Sequence, residues 1–449
     1  MVITRRNALM ATLFGTSYVG VRALATGLPV SFLLNPRKAF ADNPAPACAS
    51  MDKAQFIILQ TSGSGDPINA NVPGSYVGGV THPDWTKPLK GYTYTSQTTM
   101  LSLNGQNVVA APPWAMLKPE VLARTVFWHL MTNTPVHPKE PDVLKLMGAT
   151  QRGEMLPSVL AKALAPCLNT VQSQPIALGA TSPAEALSYG GAPQPIIPPL
   201  ALRATLTSPT GPLTNLQDVR DKTMNDLYAL YKNEASPAQQ AYVDSLVTSQ
   251  SQIRTINQQL LLSLGSIKDN SVASQITAAI ALIQMNITPV ISIHIPFGGD
   301  NHRDIGLAAE AQQTADGVAS IQSLMDQLAT AGLADRVTFM SLNVFGRTLG
   351  PSNTDGRQHN SNHQVSITIG KPFRGGVIGG VGPLTGPGAT DYGALAIDSK
   401  SGAGGPGGDI KAVDTLASFG QTMLAAVGAD PGAISSPSTT GKVIAAALA

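Results

Sequence analysis

Two short stretches hold histidines and aspartates whose spacing suits metal chemistry. "PFGGDNHRD" carries Asp300, His302 and Asp304, and "GRQHNSNH" carries His359 and His363 four residues apart. A third, "TSGSGDPIN", sets Asp66 in a Gly-rich loop. Imidazole and carboxylate groups supply lone pairs and charge at fixed positions, which is what a divalent metal centre of zinc, manganese or iron requires. Two such ions about 4 Å apart polarise a phosphoryl or sulfuryl oxygen and activate a nucleophile. A lone D-x-H or H-x3-H also occurs on solvated loops. Here, though, four of the seven histidines fall between residues 294 and 363. His302, His359 and His363 are the stronger ligand candidates, because His294 lies among Ile291, Ile293 and Ile295 in an apolar run and reads as structural.

Each stretch follows an apolar, β-prone run. "AQFIILQ" leads into the Asp66 loop, "TPVISIHI" into the Asp300 loop, and "DRVTFMSLNVFG" into the segment with His359. "RTVFWHLM", "QPIALG" and "HQVSITIG" are further runs of this kind. Short continuous apolar runs bounded by loops read as buried strands. Helical patterns lie between several of them: Val318, Ile321, Leu324 and Leu328 share one face, with Gly332 as the C-terminal cap. Strands alternating with helices predict one α/β layered domain over residues 42–449 with a largely parallel, buried sheet. In such sheets ligands gather at the carboxyl ends of strands. Residues from about 208 to 286 read as a helical insertion, with Ser236 capping and Pro237 opening one helix. "SKSGAGGPGGD" (399–409) has the composition of a flexible loop, followed by a final amphipathic helix.

The chain has 449 residues, 43% of them apolar, and 29 Lys plus Arg against 27 Asp plus Glu. It is long enough for a large core, and near neutrality leaves no footprint for nucleic acid. At the N-terminus, Arg5 and Arg6 precede an apolar run, and Ala39 and Ala41 frame an A-x-A site before Asp42. Residues 1–41 resemble a twin-arginine signal peptide, although Ala8 replaces the usual Phe and Arg22 interrupts the apolar run. The alternative is an uncleaved membrane anchor. Cleavage implies passage through the twin-arginine export machinery to the periplasm or beyond, with no membrane span in the mature chain. The two cysteines, Cys48 and Cys167, are candidates for one disulfide in an oxidising compartment.

Taken in order, "FIILQTSGSGDPIN", "FGGDNH", "VFGRTLG", "GRQHNSNH" and "FRGGVIGGV" resemble the landmarks of an exported bacterial group, domain-of-unknown-function family 1501 of the alkaline phosphatase and sulfatase superfamily. The resemblance spans roughly residues 54 to 430. It implies an alkaline-phosphatase-like fold in which Asp66, Asp300, His302, His359 and His363 hold metal, and it implies hydrolysis of a phosphate or sulfate ester. A hydroxyl nucleophile there follows the first strand by some tens of residues, which points to Thr132 and Thr134, with Ser62 and Ser64 nearer the first loop. The alternative for all four is capping of loop backbone. Arg347 and Arg374 suit a bidentate clamp on an anionic ester, or else structural ion pairs. The chain departs from the family at two carboxylates: Gln358 stands for the Asp of an Asp-His pair, and Val344 for the Glu before F-G-R-T. Asp304 and Asp355 are the nearby carboxylates. Two functions follow: a metal-dependent ester hydrolase, or a degenerate member that binds an anionic ester, a glycan or a partner without turnover.

Overall fold

The computed structural model describes residues 55–179, 187–207, 263–350, 356–386, 389–434 and 441–449, with isolated positions 226, 229 and 240. The predicted signal peptide, Cys48, Asp355 and most of the predicted helical insertion lie outside these residues. Among the described residues, seven strands form one sheet: β1 (Phe56–Ser62), β2 (Thr125–Leu130), β3 (Ile176–Ala177), β4 (Val290–Ile293), β5 (Val337–Asn343), β6 (Gln364–Ile369) and β7 (Gly376–Ile378). Their order is β7-β2-β6-β5-β1-β4-β3. β1 runs parallel to β4 and β5, β3 to β4, and β7 to β2. Only β6 is antiparallel to its neighbours, β5 and β2.

The strand sequences explain this sheet. Every residue of β1 is buried, as expected of a strand covered on both faces. Phe56 and Ile58 pack to one side with Phe339, Ile291 and Ile367, while Ile57 and Leu59 pack to the other with Met340, Leu342 and Trp128. Helices α1 (Leu156–Leu168), α2 (Pro199–Thr207), α3 (Val272–Gln284), α4 (Ala308–Thr330) and α5 (Thr415–Ala426) complete the layers. On the first face, α4 buries Val318, Ile321, Leu324 and Leu328, the predicted stripe, and α3 adds Ile276 and Ile283. On the second, α1 brings Leu160 and Leu164, and α5 brings Phe419 and Met423. Full burial of one such side chain contributes about 1.5–3 kcal/mol. Just past α4, Gly332 adopts a φ of 69°, the left-handed turn that ends a helix at glycine.

The Gly-rich segment 399–409 is tied down rather than loose. Ser399 N–H donates to Asp409 Oδ1 at 2.7 Å and Ser401 N–H to Asp398 Oδ1 at 2.7 Å. Its Gly404 lies so close to Gly379 that a Cβ would sit 2.5 Å from the Gly379 carbonyl carbon. Glycine here permits contact between two backbones, which composition does not distinguish from flexibility. Among the described residues, no helix is long and apolar enough to cross a membrane.

Because β1, β2, β4 and β5 run the same way, their carboxyl ends share one edge of the sheet with the amino end of β6. All of the loops considered next leave from that edge.

Candidate metal centre

Three loops deliver imidazoles to one place. The loop after β2 ends in a 3-10 turn, His137–Lys139, and His137 Nδ1 donates to the Gly63 carbonyl at 2.7 Å. The loop after β5 forms a two-residue ladder in which Arg347 pairs with His359, and His359 Nδ1 donates to the Pro135 carbonyl at 2.6 Å. Since a carbonyl only accepts, Nδ1 carries the proton in both neutral rings and Nε2 presents its lone pair. Phe345 packs against both rings, 4.9 Å from His137 and 4.4 Å from His359 between centroids. The loop after β4 supplies Asp300 and His302. Ligand atoms of His137, Asp300 and His359 lie within 4.8 Å of one another. His302 Nε2 is 2.9 Å from His359 Nε2 and 3.0 Å from Asp300 Oδ1. His302 Nε2 thus faces a ring nitrogen, a carboxylate and, at 3.5 Å, the Arg347 Nη1 donor.

The supporting shell is buried and charged. Arg357 donates from Nε to Glu310 Oε2 at 2.6 Å and from Nη2 to Oε1 at 3.0 Å. Arg357 N–H also donates to the Asn301 carbonyl at 3.1 Å, and Asn301 Nδ2 reaches Glu310 Oε2 at 3.2 Å. Thus the residue between Asp300 and His302 is fixed to α4. Asp304 accepts from the Ala309 and Glu310 amides with its two oxygens, at 2.9 and 2.8 Å, in the first turn of that helix. Burial pushes the Asp300 carboxyl up, but the Arg347 charge and hydrogen bond outweigh it and hold Asp300 below its ordinary value. For half-buried His359, burial and then the charges of Arg347, His137 and His302 lower the pKa, against the Pro135 contact, which raises it.

The structure brings together Asp300, His302 and His359 from the sequence-derived ligand set and adds His137; Asp66 and His363 lie apart from this group. Asp66 is buried and accepts from Ser62 Oγ at 3.0 Å. His363 belongs to a buried chain. Asn69 Oδ1 accepts from Arg347 N–H at 3.0 Å and its Nδ2 donates to Arg347 O at 2.8 Å, which fixes the amide. Asn69 Nδ2 then donates to His363 Nδ1 at 3.2 Å, so His363 Nε2–H donates to His129 Nδ1 at 2.8 Å, and His129 Nε2–H to Pro73 O at 2.8 Å. Both rings are neutral: burial lowers His129 to about 4 and His363 well below its ordinary value.

Among the hydroxyls, Thr132 is fully buried, and Thr134 Oγ1 accepts from Val136 N–H at 3.3 Å in a turn. Ser62 is fully buried, while Ser64 is half-buried in the loop after β1. Arg347 is sealed against the cluster. Arg374 is exposed at the opposite edge of the sheet, where Gly375 N–H donates to the Ala123 carbonyl just before β2. Val344 is buried in the second core layer, and Gln358 is exposed. His137 is absent from the sequence-derived ligand set; its signal in the sequence is a histidine seven residues after a strand end, between Pro135 and Pro138.

Three imidazoles and one carboxylate, two of the rings already anchored through Nδ1, form a donor set that fits zinc, iron or manganese better than the all-oxygen shells of magnesium or calcium. No family model matches the chain, and no curated protein matches it.

Proposed function

We propose that the chain is an exported, metal-dependent hydrolase of phosphate or sulfate esters, of the alkaline phosphatase and sulfatase superfamily, reaching the periplasm or medium through twin-arginine export. The observation that carries this reading is the convergence of His137, His359 and Asp300, with His302 beside them, at the carboxyl edge of the sheet. A bound divalent ion supplies Lewis acidity and an activated oxygen nucleophile. His137 and His359 would hold it through Nε2, their rings oriented by backbone carbonyls. The cluster's carboxylate, Asp300, is already matched by the Arg347 charge. With neutral histidines, a divalent ion therefore leaves the site net positive, which favours an anionic ester.

The test is the metal content of the mature protein purified without chelator, beside a His137→Ala/His359→Ala variant. Near-stoichiometric zinc, manganese or iron that is lost in the variant, followed by turnover in a panel of phosphate and sulfate esters, is the expected outcome. A folded, metal-free wild type overturns it. A second reading, a fold that binds an anionic ester or glycan without turnover, draws on Val344 and Gln358, which place no carboxylate where the family pattern has two. Metal uptake without ester turnover separates the two readings.

A further inference from the structure

Arg347 looks from the sequence like a hand for the substrate, but its surroundings assign it differently. Its side chain is 0% exposed, so nothing the size of water touches it. Nε donates to the Gly65 carbonyl at 2.6 Å; Nη2 contacts the Ser64 carbonyl at 2.7 Å, the Gly299 carbonyl at 3.1 Å and Asp300 Oδ1 at 3.0 Å. Nη1 faces His302 Nε2 at 3.5 Å, and the guanidinium carbon lies 5.5 Å from the centre of the Phe345 ring. A buried guanidinium is tolerated where its donors are met, and here three backbone carbonyls and the Asp300 carboxylate meet Nε and Nη2. The carbonyls belong to two loops: 64–65 after β1 and 299 after β4. The same loops supply Gly63, the anchor of His137, and Asp300 itself.

We propose that Arg347 is a positioning residue that locks these two strand-end loops together and presents the Asp300 carboxylate to the imidazole cluster, and that it does not contact substrate. The proposal rests on the metal-centre reading of the cluster. Arg347 thereby fixes Asp300 Oδ1, which lies 3.0 Å from His302 Nε2 and 4.0 Å from His137 Nε2. Lysine in place of Arg347 keeps the charge but forfeits the planar fork that reaches both loops at once.

Chemical modification of the wild type and ligand binding by Arg347→Lys decide it. Peptide mapping of the folded wild type after phenylglyoxal treatment should find exposed Arg303 modified and Arg347 intact; modification of Arg347 in the folded protein overturns the proposal. In Arg347→Lys, cobalt(II) should bind about 10- to 100-fold more weakly, the loss typical of a removed ligand-orienting partner, with an altered visible spectrum. Inorganic phosphate should bind the cobalt-saturated variant within about twofold of wild type, as expected if Arg347 makes no part of the anion site. Unchanged cobalt affinity and spectrum with phosphate binding lost would make Arg347 a substrate clamp after all. If the wild type takes up no cobalt, the metal reading fails. Positioning is then read from the His302 imidazole NMR signals, which should move in Arg347→Lys while those of His82 stay; unmoved His302 signals overturn it. Should Arg347→Lys not fold, the wild-type modification result stands alone as the decision.

Discussion

At the scale of residues, the seven histidines divide by what their nitrogens meet. His137 and His359 turn Nδ1 to backbone and leave Nε2 to a shared space. His129 and His363 spend both nitrogens on a buried chain running from Asn69 to Pro73. That difference has a measurable sign. The folded pKa values of His129 and His363 are depressed, so the unfolded chain binds more protons over the interval between them and the ordinary histidine value near 6.5. The stability is therefore fully present above about pH 6.5 and is lost as pH falls toward 4. Thermal midpoints measured across this range should drop for wild type, and the drop should be shallower in His363→Gln; parallel curves would mean that the pair does not carry the acid sensitivity. The same contrast explains what was legible. Spacing identified His359 and His363 as a pair, but in the ladder and at the start of β6 they face different neighbours. Sequence spacing on an irregular segment does not fix direction, whereas on a helix or strand it does.

Elements decide where those residues arrive. All six strands read from apolar runs are present, because a short unbroken apolar run bounded by loops has few other places to go. β7 was not legible: it has three residues and opens on a glycine, leaving too little pattern for a period. The loops depend on two local conditions that carry predictions. Gly65 has a φ of 66°, and a Cβ there would lie 2.0 Å from Phe345 Cε2. Gly65→Ala should therefore push Phe345 off His137 and His359, cost about 1–3 kcal/mol in urea denaturation, and weaken metal uptake; a variant of wild-type stability and metal content would show that the loop accommodates the methyl. The other condition is the Glu310–Arg357 pair, whose side chains are 0% and 3% exposed. Glu310→Gln leaves a buried charge without its counterion and should destabilise by about 3–5 kcal/mol, read from the shift in urea midpoint. A shift under about 1 kcal/mol, the range of exposed ion pairs, would mean that the Thr348 and Thr81 carbonyls beside Arg357 suffice.

For the whole molecule, the layered α/β architecture and its mostly parallel sheet were readable from alternation of strand and helix patterns, while the meeting of residues 63, 135, 137, 300 and 359 was not. That meeting is a property of strand order, and strand order is settled by packing rather than by any local signal. Cys167 is disulfide-bonded. Since a disulfide restricts the unfolded chain, Cys167→Ser should cost about 2–5 kcal/mol; equal unfolding midpoints for the oxidised wild type and the variant would rule that out. The oxygens that orient His137 and His359 have a further consequence. They belong to the main chain at Gly63 and Pro135, and every amino acid supplies a carbonyl. On the proposed metal reading, a saturation scan for loss of metal would register the two histidines sharply yet see positions 63 and 135 only through changes in backbone shape. Half of the machinery that aims the ligands is thereby hidden from selection on side-chain chemistry, free to vary in identity so long as the loop keeps its course.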